Sequence, residues 1–124
     1  MRDRAGDRCD YCHLPQAAVS FAPFHVNHIV AKQHHGKTED GNLALSCDRC
    51  NAYKGPNLTA IDPLTNTLAS LFDPRRDIWD EHFEMIGSEI RGLTPIGRAT
   101  VLLLNMNALR RAASRYAGRL CNSC

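Results

Sequence analysis

The chain has 124 residues, 44% of them hydrophobic and 23% charged, with a formal charge of +2. That suffices for one domain with a modest core and excludes fibrous and low-complexity classes. The longest apolar run, Val101 to Leu104, is too short to span a bilayer, and so weak a net charge by itself points to no partner. Nothing after Met1-Arg2-Asp3-Arg4 reads as an apolar signal segment, and six cysteines in such a chain argue for metal ligation over disulfides. The expected location is cytoplasmic.

Residues 1–8 are charged and read as a loose lead-in. Cys9-Asp10-Tyr11-Cys12 forms a first Cys-x-x-Cys, and Cys47-Asp48-Arg49-Cys50 a second. Paired thiolates on tight turns each supply two corners of a zinc tetrahedron, so these four cysteines are assigned to one structural Zn²⁺. Their separation exceeds the commonest zinc-finger spacing, which implies a structured insertion between the pairs. Phe21 to Val30 mixes β-branched and aromatic residues and predicts one or two short strands. Lys32 to Gly41 is polar and reads as a loop, and Asn42 to Leu45 leads into a second strand. Ser46 is the expected N-cap of a short helix ended by Gly55-Pro56. On that helix Cys47, Cys50, Asn51 and Lys54 fall at i, i+3, i+4 and i+7, so one face offers two thiolates, a neutral oxygen donor and a cation.

From Pro56 to Pro74 the chain is rich in Asn, Thr and Pro and is expected to be irregular. Asp77 to Ile86 predicts a short strand or helix around Trp79 and Phe83. Thr94-Pro95 reads as an N-cap with proline at the first helical position, starting a helix to about Ala117. Ala99, Leu102, Leu103, Met106, Leu109, Ala113 and Tyr116 form its expected buried stripe, with Arg111, Arg115 and Arg119 opposite. Pro95 to Cys124 holds five arginines and no acid. Cys121 and Cys124 make a third Cys-x-x-Cys, read as incidental thiols in a frayed tail.

Asn27-His28-Ile29, Gly41-Asn42-Leu43, Cys47-Asp48-Arg49-Cys50-Asn51 and Lys54-Gly55 together resemble the HNH endonuclease motif, in the subtype whose ββα-metal core is stapled by four cysteines. The resemblance runs from Cys9 to Gly55. Leu71-Phe72-Asp73-Pro74-Arg75-Arg76, Trp79 to Phe83 and Gly92 to Thr100 resemble extensions found in one bacterial branch of that family. The implied fold is a small α+β domain over 1–124, with a core at about 9–56 and a helical C-terminal extension at about 57–124.

The resemblance implies metal-dependent hydrolysis of DNA phosphodiester bonds, leaving 5′-phosphate and 3′-hydroxyl ends. His28 takes the position of the general base, a role suited to a side chain whose pKa lies near neutrality. Asn42 takes that of the asparagine that orders the loop and aims the base. Asn27 and Asn51 take those of the ligands to a catalytic Mg²⁺ or other divalent ion. Asn27 departs from the family, where an acidic residue or histidine is usual. Its amide oxygen can ligate a hard cation but brings no charge. His25, two residues back on the same strand face, is the nearest candidate for a rescue ligand.

Lys54, Arg111 and Arg115 are candidate phosphate contacts, which predicts binding that falls steeply with salt. His34-His35 reads as solvated loop. One alternative is a non-catalytic zinc-containing module that binds nucleic acid, with Asn27 marking a degenerate metal site. Another is a thiol redox or metal-storage protein built on three Cys-x-x-Cys pairs, which leaves His28, Asn42, Asn51 and Lys54 unexplained.

Overall fold

A computed structural model describes residues 8–16 and 24–108. Its strands fall into three two-stranded antiparallel hairpins among the described residues. The first pairs β1 (His25–His28) with β2 (Leu43–Ser46), in a register that sets Asn27 opposite Ala44 and His28 opposite Leu43. Helix α1 (Asp48–Lys54) follows directly and packs on both strands, completing a ββα unit. Its N-cap is Cys47, whose sulfur accepts the Cys50 amide at 3.4 Å; Ser46, expected in that role, is instead the buried last residue of β2.

The stretch expected to be irregular holds a hairpin, β3 (Thr59–Asp62) with β4 (Thr67–Ser70). Asp62 closes its turn: the carboxylate accepts from the Leu64 amide at 3.0 Å and the Thr65 hydroxyl at 2.9 Å. This side-chain turn chemistry lets a polar, β-branched stretch pair without a recognisable Asn-Gly or Asp-Gly signal. A single helical turn, α2 (Trp79–His82), leads into the third hairpin, β5 (Phe83–Ile86) with β6 (Glu89–Gly92).

Helix α3 (Pro95–Leu103) begins as the sequence predicts, the Thr94 hydroxyl accepting from the Gly97 amide at 3.0 Å. It ends fourteen residues before the expected Ala117. Asn105 adopts φ 49°, and two residues on, a side chain leaves for another element: Asn107 receives the Ile90 amide and donates to the Ile90 carbonyl, both at 2.7 Å. That pair of hydrogen bonds ties the turn after α3 to β6 and takes the chain out of helical phase. Of the expected stripe, Ala99 and Met106 are buried, but Leu102 is 59% exposed. Leu109, Ala113 and Tyr116, like Arg111, Arg115, Arg119, Cys121 and Cys124, lie outside the described residues.

α3 packs on β6 and on the β3–β4 hairpin. Glycine permits the approach: a Cβ on Gly97 would stand 2.0 Å from the His82 carbonyl oxygen, and one on Gly92 2.4 Å from the Arg98 nitrogen. Phe72, Phe83, Ile90, Leu104 and Met106 join Tyr11, Leu14, Ile29, Ala44 and the four cysteines of the ββα unit in one buried cluster.

Candidate active site

The four cysteines converge. Cys9, Cys12, Cys47 and Cys50 are all buried, and their sulfur atoms lie within 4.8 Å of one another. Zn–S bonds of about 2.3 Å at tetrahedral angles need sulfurs about 3.8 Å apart. Cys12 Sγ and Cys47 Sγ are 3.7 Å apart, so the donors fit that ion. Burial pushes the Cys9 and Cys50 thiols well up from their ordinary range, and a divalent cation is what would let thiolates persist there. The first knuckle is a tight turn, with the His13 amide on the Cys9 carbonyl and the Cys9 amide on the Leu14 carbonyl, both at 3.0 Å. Asp10 fastens it to β2 through two bonds with Leu45, each 2.8 Å.

The extension grips the same knuckle. Arg75 Nη2 reaches Asp10 Oδ2 at 2.8 Å, with both side chains largely buried. The Trp79 indole donates to the Tyr11 carbonyl at 2.8 Å while its ring stacks on His13 at 3.9 Å between centroids. The Arg75 and Trp79 positions resembled a family extension; their contacts make them braces of the zinc knuckle.

The motif residues occupy β1, the loop after it and α1. His28, at the end of β1, is half-buried, and its Nε2 lies 2.8 Å from the Thr38 hydroxyl. Asn42 is buried and makes three side-chain bonds: it accepts the Val30 amide at 2.8 Å and donates to the carbonyls of Val30 at 3.0 Å and Lys37 at 2.8 Å. Its own carbonyl accepts the Ile29 amide at 2.9 Å. One asparagine thus fixes both the residues after His28 and the loop that carries Thr38. Gly36 lets that loop fold back, since a Cβ there would stand 1.7 Å from the Val30 carbonyl oxygen.

Asn27 and His25 share the other face of β1, because side chains alternate along a strand. The Asn27 Oδ1 atom is buried without a hydrogen-bond partner among the described residues, which is rare for a native acceptor and suits a ligand atom. His25 is half-exposed and donates from Nε2 to Asp48 Oδ1 at 3.1 Å, joining β1 to the first turn of α1. Asn51 sits in mid-helix, half-buried, one position from the buried thiol of Cys50.

Lys54 corrects an expectation. It is 1% exposed, and its Nζ donates to the Ile29 carbonyl at 2.8 Å. Burial pushes its amine down, with the Asp73 charge opposing. The side chain braces the end of α1 against the residue after His28 and is turned away from any phosphate in solvent. Arg98, one of the five C-terminal arginines, is likewise committed, its Nε and Nη2 donating to the two oxygens of buried Asp62, each at 2.9 Å.

Sequence reasoning did not single out Thr38 or Asp48. Thr38 carries no motif signal, since loop closure alone brings it to His28. Asp48 falls inside the second Cys-x-x-Cys, and its i, i+3 relation to Asn51 is the signal that could have found it.

The sequence profile of HNH endonucleases matches residues 9–57. No curated protein and no solved structure matches the chain. No helix among the described residues is long and apolar enough to cross a membrane. The matched segment contains the ββα unit, the four-thiol cluster and His28, Asn42 and Asn51 in order, so residues 9–57 form an HNH endonuclease segment, and the cluster is consistent with the four-cysteine, zinc-type form.

Proposed function

We propose that the protein is a metal-dependent endonuclease that hydrolyses DNA phosphodiester bonds, with His28 as general base. The observation that carries this reading is the support built around His28: Asn42 clamps Val30 and the loop, and Thr38 holds the ring. Proton abstraction from water in line with a scissile phosphate requires such fixed aim, and a histidine with no task would not need it. The Thr38 hydroxyl both donates and accepts, so it holds the ring plane in either protonation state.

Asn27 and Asn51 are the residues that would hold a Mg²⁺-like ion; the orphaned Asn27 Oδ1 supports that assignment. Such an ion, when bound, supplies counter-charge to the phosphate and to the departing 3′ oxygen. The four-thiol site takes no part in the chemistry. Being closed and buried, it holds α1, and with it Asn51, in register with β1.

The test is nicking and linearisation of supercoiled plasmid by zinc-loaded protein supplied with Mg²⁺, Mn²⁺ or Ni²⁺. Cleavage that drops about 10²–10⁴-fold in His28→Ala supports the reading. Asn42→Ala is expected to lower the rate while leaving zinc content unchanged. A folded protein that binds DNA but cuts with none of these metals would overturn it in favour of a binding module.

A further inference from the structure

The cation site just described has a charge deficit. Asn27 and Asn51 are neutral donors, whereas proteins hold hard cations chiefly with carboxylates. Asp48 is the one carboxylate on the strand and helix that carry those two amides. His25 and Asn27 lie on one face of β1, Asp48 and Asn51 are neighbours on the surface of α1, and α1 packs against β1. The His25–Asp48 bond of 3.1 Å closes the two elements at this edge. It engages only Oδ1 of the carboxylate among the described residues, and His25 stands two residues before Asn27, whose Oδ1 is buried and unpartnered, on the same face of β1.

We propose that Asp48, oriented by His25, supplies the carboxylate ligand of the divalent-cation site formed with Asn27 and Asn51. The inference rests on the reading of that site given above. His25 is then a positioning residue, donating to one carboxylate oxygen and leaving Oδ2 for the ion, as ligating carboxylates are themselves held by hydrogen bonds. The donor set is two amide oxygens and one carboxylate. It suits Mg²⁺ or Mn²⁺, while the softer thiolates draw zinc to the cysteine cluster. The carboxylate that the strand lacks at Asn27 is thereby returned from the helix.

Mn²⁺ titration of the zinc-loaded full chain, followed by the electron paramagnetic resonance signal of free Mn²⁺, tests this without reference to cleavage. Zinc content is measured on the same samples. The wild type is expected to bind one Mn²⁺, with affinity falling about 10-fold or more in Asp48→Asn and several-fold in His25→Ala. Asp48→Glu should recover part of the loss. Asn51→Ala serves as the reference for the site. If Asn51→Ala weakens Mn²⁺ binding and Asp48→Asn does not, the role of Asp48 is overturned and the divalent site stands. If the wild type binds no Mn²⁺, both fall. Should Asp48→Asn lose zinc, His25→Ala decides, because it releases Asp48 without altering the residue beside Cys47; unchanged Mn²⁺ affinity in that variant would overturn the proposal.

Discussion

The ββα unit and the extension that follows it are held together by different chemistry. In the former, four of the buried side chains are cysteines gathered on one point, and the apolar residues around them are few. In the latter, aromatic packing of Phe72 against Phe83, close helix–strand approach at Gly92 and Gly97, and a buried Asp62–Arg98 pair share the task. One half is gathered around thiols that fit an ion, the other around shape. Their junction shares one buried apolar cluster and adds specific contacts, since Asp10–Arg75, Tyr11–Trp79 and His13–Trp79 all fall on the first knuckle. The extension therefore steadies the first knuckle from outside, and the ββα unit gains a rigid floor.

Chelation should separate the halves most sharply. Zinc binding contributes about 10–16 kcal/mol in finger peptides, comparable with a whole domain's stability of about 5–15 kcal/mol. Stripping the metal, or Cys50→Ser, is expected to unfold the ββα unit, read as lost amide protection across β1, β2 and α1. Protection that persists there would mean that apolar packing alone holds this half.

Gly97→Ala is the corresponding break in the extension. The new Cβ would meet the His82 carbonyl oxygen, a backbone atom that yields little. A loss of about 1–3 kcal/mol is expected in denaturant unfolding with zinc content unchanged. Trp79→Phe tests the junction. It removes the donor to the Tyr11 carbonyl while keeping an aromatic ring for His13, and should cost about 1 kcal/mol.

Acid sharpens the contrast further. The Arg98 guanidinium holds the Asp62 carboxyl well below the usual carboxylate range, helped by the Leu64 amide and Thr65 hydroxyl and opposed by burial. A group depressed in the folded state adds stability that is full above the unfolded carboxylate's pKa of about 4 and is lost as pH falls below it. Asp62→Asn should therefore be less stable than wild type at pH 7, and the gap should narrow below about pH 4 in thermal melts. The smallest effect is expected from Leu102→Lys: an exposed residue outside the core should shift stability by no more than about 0.5 kcal/mol.

The sequence by itself determined the parts whose chemistry is local or discrete. Two Cys-x-x-Cys pairs have essentially one joint use in such a chain, and the HNH motif blocks carried the ββα order with them. Thr94-Pro95 announced the start of α3 because capping is written within four residues. Tertiary structure decided the rest, since the forces concerned act between residues far apart in the chain. The end of α3 is set by Asn107 bonding to Ile90, and the β3–β4 hairpin is anchored through Asp62 to Arg98 on another element. Lys54 turned inward because the Ile29 carbonyl lies beneath it, a partner that helical spacing does not reveal. The same holds for the candidate site: residue types named His28, Asn27, Asn42 and Asn51, but packing of α1 on β1 and closure of the loop brought Asp48 to His25 and Thr38 to His28.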